Sequence, residues 1–170
     1  MANALKIRRE NASDIEAITD VTIAAFANLS ISDQTEHLMV NALREAAALT
    51  LSLVAEIGDQ LVGHIAFSPV SMSDGTTDWY GLGPVSVLPD YQKRRIGSAL
   101  IEQGLEMLEQ INAKGCILAG HPEYYPRFGF INPESLFIKN VPPQACFVLA
   151  FTDQIPTGEA IFHDALSSNS

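Results

Sequence analysis

The residues best suited to chemistry lie in one short turn. Gln92-Lys93-Arg94-Arg95-Ile96-Gly97-Ser98-Ala99 sets three consecutive cations beside a glycine. Upstream, Val85-Ser86-Val87-Leu88 follows Gly83 and Pro84, and its β-branched valines suit a buried or half-buried strand. Pro89 and Asp90 end that run. Downstream, Ile96, Ala99, Leu100, Leu105 and Leu108 fall on or near one helical stripe, widened by Ile101 and Met107. The turn therefore joins a strand to the start of a helix. A helix N-terminus presents unsatisfied N–H groups and a partial positive charge. With Lys93, Arg94 and Arg95 beside it, this one suits a phosphate or pyrophosphate. The same residues also fit an ordinary surface turn with a helix cap.

The rest of the chain must position that turn. With 170 residues, 47% of them hydrophobic, the chain is expected to form a single domain, 1–170, with a sizeable core. No apolar run is long enough to cross a bilayer, and Met1 to Glu10 is followed by no hydrophobic block of the secretory kind. Cys116 and Cys146 sit in apolar surroundings without metal-ligand spacing. They read as buried free thiols in a reducing cytoplasm, with no metal. Ten basic against twenty acidic residues give a formal charge of −10. That disfavours nucleic acid or an acidic membrane as partner and favours a cation.

In chain order, Leu5 to Arg8 alternates as a short strand, and Ser13-Asp14-Ile15-Glu16 has the pattern of a capping box. A helix should follow, with Ile15, Ile18, Thr22, Ala25 and Phe26 inward. After a connection at Asn28 to Ile31, a second helix should begin at Ser32-Asp33, with Leu38, Met39, Ala42, Leu43 and Ala46 inward. Leu51 to Glu56 and Leu61 to Met72 read as a hairpin around Gly58-Asp59, with a bend or bulge at Pro69. Trp79 to Leu88 is the central strand. Gly115 should stop the long helix, and Cys116 to Ala119 should lie parallel to the central strand through a right-handed crossover. Phe147 to Phe151 and Gly158 to His163 supply final strands, and Leu166 to Ser170 should fray.

A second segment completes the pattern: Gly120-His121-Pro122-Glu123-Tyr124-Tyr125-Pro126-Arg127-Phe128-Gly129-Phe130. Gln92 to Ala99 resembles the Q/R-x-x-G-x-G/A turn of the GNAT acyltransferase superfamily, with Arg95 where the first glycine stands. Gly120 to Phe130 resembles the GNAT segment in which a tyrosine lies four residues before the glycine of a Gly-Phe pair; here that is Tyr125. The paired tyrosines and the ending Gly-x-x-Ile-Phe-His are similar to a bacterial subgroup of predicted N-acetyltransferases. Tyr124 and Phe128 read as a packing pair at i, i+4.

The resemblance implies an α/β (α+β mixed sheet) fold, with central strands splayed around a cofactor and helices on both faces. It implies direct transfer of acetyl from acetyl-CoA to a primary amine of a small molecule or peptide. The cofactor-binding residues would be Val85 and Val87, through the main chain, with Gln92, Lys93, Arg94, Arg95, Ile96, Gly97, Ser98 and Ala99 at the pyrophosphate. Tyr125 would be the general acid toward the thiolate. The helical pair would flank the acceptor, and the protein would be a cytoplasmic monomer or homodimer. A base for the amine is not singled out: Glu56, His64 and Asp78 are all possible, as is water, and a lone strand histidine is more often packed than catalytic. If Arg95 folds outward in a right-handed conformation, the cradle survives; if not, cofactor affinity drops and the chain would be a degenerate relative. Arg95 and the missing base leave room for the alternative, a non-catalytic acetyl-CoA-binding sensor or regulatory module.

Overall fold

The computed structural model describes residues 4–30 and 32–166. Ile31 and most of the end expected to fray lie outside the described residues. Among the described residues, eight strands form one mixed sheet: β1 (Leu5–Arg9), β2 (Leu51–Ile57), β3 (Gln60–Met72), β4 (Trp79–Val87), β5 (Gly115–Ala119), β6 (Leu136–Ile138), β7 (Cys146–Ala150) and β8 (Gly158–Phe162). Three α-helices accompany them: α1 (Ile15–Phe26), α2 (Glu36–Glu45) and α3 (Ile96–Gln110). The main order is β1-β2-β3-β4-β5-β7, while β8 pairs with the far half of β3 and with β6.

Strand alternation decides which helix covers which face. Leu51, Leu53 and Ala55 of β2, with Ile65 and Phe67 of β3, pack against Leu100, Ile101, Leu105 and Leu108 of α3. Val54 points the other way and packs with Ile18 of α1 and Val40 of α2. Helices thus cover both faces. α3 lies close to β3: a Cβ on Gly104 would stand 2.3 Å from Phe67 Cε1.

Several local expectations are corrected. The capping box sits at Asn11 and Asp14: Asn11 Oδ1 accepts from Ser13 N–H at 3.0 Å, and Asp14 Oδ2 accepts from Asn11 N–H at 2.8 Å. Asp14 is also held by Arg8, which fixes it there, while Glu16 is exposed. α2 starts at Glu36, and its buried residues are Val40 and Leu43; Leu38 is 55% exposed. That stripe is the one Ile18 and Val54 meet. The β3 irregularity falls between Ile65 and Phe67. Pro69 sits where β2 has ended at Phe67 and β8 begins at Val70, so its missing N–H removes no ladder bond there. α3 is stopped by Asn112, at φ 66°, with Ala113 N–H closing back on Leu108 O at 3.0 Å. Gly115 instead makes room for Trp79, whose ring would lie 2.4 Å from a Cβ. β6 was not anticipated.

The feature that positions the site is a parting of strands. β4 and β5 are parallel and paired from Trp79↔Gly115 to Gly81↔Ile117. β5 then stays with β7 to Ala119↔Cys146, and β4 stays with β3 to Gly63↔Val87. Beyond Gly81 the two share no ladder, and a gap opens beside the C-terminal half of β4.

Candidate active site

The edge of β4 facing this gap carries main-chain groups that pair with no strand. Leu88 N–H donates to Val62 O at 2.9 Å, which fixes the direction of that residue toward β3. Alternation then turns the main-chain groups of Val85 and Val87 toward the gap. In agreement, Gln92 Nε2 donates to Val87 O at 3.0 Å.

At the end of β4 the chain reverses into α3 through two left-handed residues, Lys93 at φ 64° and Arg95 at φ 65°. The right-handed Arg95 considered from sequence is not adopted. Strand and helix meet here only through a left-handed step, which glycine takes freely and arginine takes at a steric cost. A left-handed residue followed by helical ones turns successive N–H groups into one concavity, an anion-binding nest. Ala99 N–H closes the first bond of the helix, onto Arg95 O at 3.0 Å. The N–H groups of Ile96, Gly97 and Ser98 have no partner among the described residues. Lys93 and Arg95 line a cavity of about 400 Å³ over these donors. Arg94 departs from the expected set: its guanidinium lies 4.9 Å over the Tyr91 ring, outside that lining. Ala99 likewise does not line it.

The tyrosine segment closes over the turn. Tyr124, Tyr125, Gln92, Lys93 and Arg127 border a cleft of about 840 Å³. Tyr125 to Phe128 form a 3-10 turn ended by Gly129 at φ 96°. Tyr125 is half-buried, edge-on to Phe130 at 6.0 Å and against Phe147 at 6.2 Å. Only glycine at position 120 admits this ring, since a Cβ would meet Tyr125 Cε2 at 2.3 Å. Burial pushes the phenol up to about 12, with Tyr124 and Cys116 adding to the rise. Tyr125 is therefore a fully protonated donor at neutral pH.

The rings of Tyr124 and Phe128 do pack, edge-on at 5.3 Å. The Tyr124 hydroxyl, however, reaches Ser98 Oγ at 3.1 Å, at the turn itself. Arg127 lies 4.6 Å over the Tyr124 ring and lines both cavities. Neither role was expected from sequence; the available signal was a further cation inside the tyrosine segment.

Of the three candidate bases, two are drawn away. Glu56 accepts from Arg8 Nε at 3.1 Å, beside the β2–β3 hairpin. Asp78 is exposed at φ 66° just before β4, at the end opposite Val87. His64 remains level with the gap, paired with Ser86 across β3 and β4. It is fully buried, and burial lowers its imidazole to about 4, with Glu10 opposing and Arg44 adding.

A mixed sheet that opens between two parallel strands, beside a donor-rich turn at a helix start, is the α/β architecture that the resemblance implied. The chain belongs to the GNAT acetyltransferase family, whose domain profile matches residues 6–131. The uncharacterized N-acetyltransferase YhbS of Escherichia coli K12 is 34% identical over 109 residues, 64% of this chain. YjhQ of the same strain is 34% identical over 121 residues, 69% of this chain. This chain spans 65% of the length of each of those curated relatives. Among solved structures, a GNAT acetyltransferase of Brucella melitensis in complex with acetyl-CoA superimposes with TM-score 0.88 at 44% identity, covering 97% of this chain and 99% of that one. YhbS in complex with CoA gives 0.84 at 28% identity, covering 97% and 93%.

Proposed function

We propose that this chain transfers an acetyl group from acetyl-CoA directly to an amine. The observation that carries the reading is the gap between β4 and β5, with the Val85 and Val87 main chain turned into it and leading to the unpartnered N–H groups of Ile96, Gly97 and Ser98. The similarity to acetyl-CoA- and CoA-bound relatives supports the same cofactor.

The residues fit that cofactor. Acetyl-CoA supplies an activated thioester and a thiol leaving group. Its pyrophosphate suits the nest at Arg95 to Ser98, with Lys93, Arg95 and Arg127 as surrounding charge. Its amide-bearing arm suits the Val85 and Val87 edge as an added strand. Tyr125 donates a hydrogen bond toward the departing sulfur. Burial holds the Tyr125 phenol protonated and makes it a weaker acid than in water. Tyr125 thus stabilises developing charge more than it delivers a proton.

A net charge of −10 favours a cationic or neutral acceptor, a small-molecule or peptide amine. The test is thiol release from acetyl-CoA across polyamines, amino acids, aminoglycosides and peptides, beside calorimetric binding of acetyl-CoA. Binding with amine-dependent thiol release is expected. Binding without release for any amine favours the sensor reading, and absence of binding overturns both.

A further inference from the structure

A file of hydrogen bonds runs from the surface to the strand beside the gap. Glu10, just after β1, is gripped by Arg44 of α2: Nε donates to Oε2 at 2.9 Å and Nη2 to Oε1 at 2.8 Å. Ser52 Oγ of β2 bonds to Glu10 Oε1. Ser52 Oγ also lies 2.7 Å from His64 Nε2. Glu10, Arg44 and Ser52 line a surface cavity of about 260 Å³, so the outer end of the file is open. Its inner end, His64, is fully buried.

The proton positions follow from the partners. Burial raises the Glu10 carboxyl, but the bonds from Arg44 and Ser52 outweigh it and leave it below its usual range. Glu10 is therefore a carboxylate and can only accept. The Ser52 proton must then point to Glu10, and Ser52 must accept from His64 Nε2–H. That assigns the neutral Nε2–H tautomer and leaves Nδ1 a bare lone pair. Nδ1 has no partner among the described residues. Neither has Ser86 Oγ, buried on the residue paired with His64 across β3 and β4. Directly opposed residues share one face of a sheet at about 5 Å between Cβ atoms. Ser86 stands between Val85 and Val87, level with the gap. Two orphan polar groups so placed match what an interior water needs.

We propose that His64, Ser52 and Glu10 form a relay that carries away the proton lost by the acceptor amine. The inference rests on the acetyl-transfer reading above. The amine N–H bond breaks, and its proton reaches His64 Nδ1 through a water at the Ser86 side. The Nε2 proton passes to Ser52 Oγ as the Ser52 proton passes to Glu10 Oε1. Glu10 releases a proton to solvent at its open cavity. The ring is then the Nδ1–H tautomer; a proton returning along Glu10 and Ser52 to Nε2, as the Nδ1 proton passes through the same water to the coenzyme A thiolate, restores it, and nothing is oxidised or reduced. A ring that resists charging suits such passage, because it hands a proton on without holding it.

The test uses the full chain. Nitrogen-15 NMR of the imidazoles at neutral pH should show His64 protonated at Nε2 and bare at Nδ1; a proton on Nδ1 overturns the relay. Turnover is measured with the fastest amine of the panel. Ser52→Ala should lower kcat at least about tenfold, with acetyl-CoA affinity and melting temperature near wild type and a smaller solvent deuterium isotope effect. Ser52→Thr, which keeps a hydroxyl, should restore most of kcat. Glu10→Gln, which still accepts from Ser52 and takes no proton, should behave as Ser52→Ala. Wild-type kcat in both Ser52→Ala and His64→Gln overturns the relay and makes the file a structural staple. Failure of the wild-type chain to bind acetyl-CoA is a separate result, which overturns the acetyl-transfer reading itself.

Discussion

Gly97→Ala separates folding from cofactor binding. A Cβ there would lie 3.7 Å from Tyr124 Oη and 3.9 Å from Val87 Cγ2, ordinary contact distances. The backbone is helical, so alanine is not strained and should stabilise the free protein by about 0.5–1 kcal/mol. For a chain of this size that raises Tm by about 1–4 °C. A phosphate oxygen held by the N–H groups of Ile96 to Ser98 lies about 3 Å from the backbone. The turn pattern takes glycine or alanine at this position, and a Cβ meets nothing closer than 3.7 Å, so the donors stay open and acetyl-CoA Kd should change by less than about tenfold. At acetyl-CoA one hundred times the wild-type Kd, the wild type gains about 2.7 kcal/mol, or about 5–11 °C. Even a variant that binds tenfold more weakly gains about 1.4 kcal/mol at the same concentration, or about 3–6 °C. Scanning calorimetry of both proteins, with and without acetyl-CoA, reads these four temperatures. A variant whose ligand-induced rise falls to about 1 °C or less shows that a methyl at Gly97 blocks the phosphates, and that the turn does not present its donors as the pattern requires.

Arg95→Gly exchanges a left-handed strain of about 1–2 kcal/mol for a glycine entropy cost of about 0.5–1 kcal/mol. Denaturant midpoints should therefore change little, and acetyl-CoA Kd by less than about tenfold; a far tighter Kd shows that the natural turn is handicapped. Tyr125→Phe should keep Tm and acetyl-CoA affinity while kcat falls at least about tenfold, and unchanged turnover would leave Tyr125 a packing residue. His64 is lowered when folded, from 6.5 to about 4, so the unfolded chain binds more protons between those values. Stability should be complete above pH 6.5 and fall as pH drops toward 4, by at most about 1.4 kcal/mol per unit from this one group. His64→Gln should flatten the upper part of that decline, above the range where Glu10 and Asp14 take up protons, and an unchanged slope in urea titrations across pH refutes it.

Much of the strand, turn and helix, and of the tyrosine segment, was legible because its signals are local. The β-branched run before Pro89, the helical stripe after Arg95 and the glycine four residues after Tyr125 each declare themselves within a few residues. What escaped the sequence depends on distant partners. β6 is three residues long with Leu136 buried and Phe137 exposed, too short to show a period. Gly115 looked like a helix stop until the Trp79 ring was found against it. Tyr124 looked like core because its ring is core; only the tip of the side chain meets Ser98. His64 shares its network with residues 10, 44 and 52, drawn from three other segments. No spacing rule relates those positions.

The left-handed Arg95 shows why residue type and function separate at this turn. The donors that face the cavity belong to Ile96, Gly97 and Ser98, and their direction is set by the dihedrals of the residue before them. Glycine reaches those dihedrals most easily, yet any residue held there by the strand behind and the helix ahead aims the same N–H groups. The strain of about 1–2 kcal/mol is a sum that the eight strands and three helices among the described residues can absorb. Arginine also leaves a permanent charge at the rim, in a chain whose total of −10 repels a polyanion. Salt screens distant acids beyond about 8 Å at physiological strength. A ligand in the turn therefore responds chiefly to Lys93, Arg95 and Arg127 around it. The departure from the glycine pattern trades backbone ease for local charge, and leaves the geometry of the cradle intact.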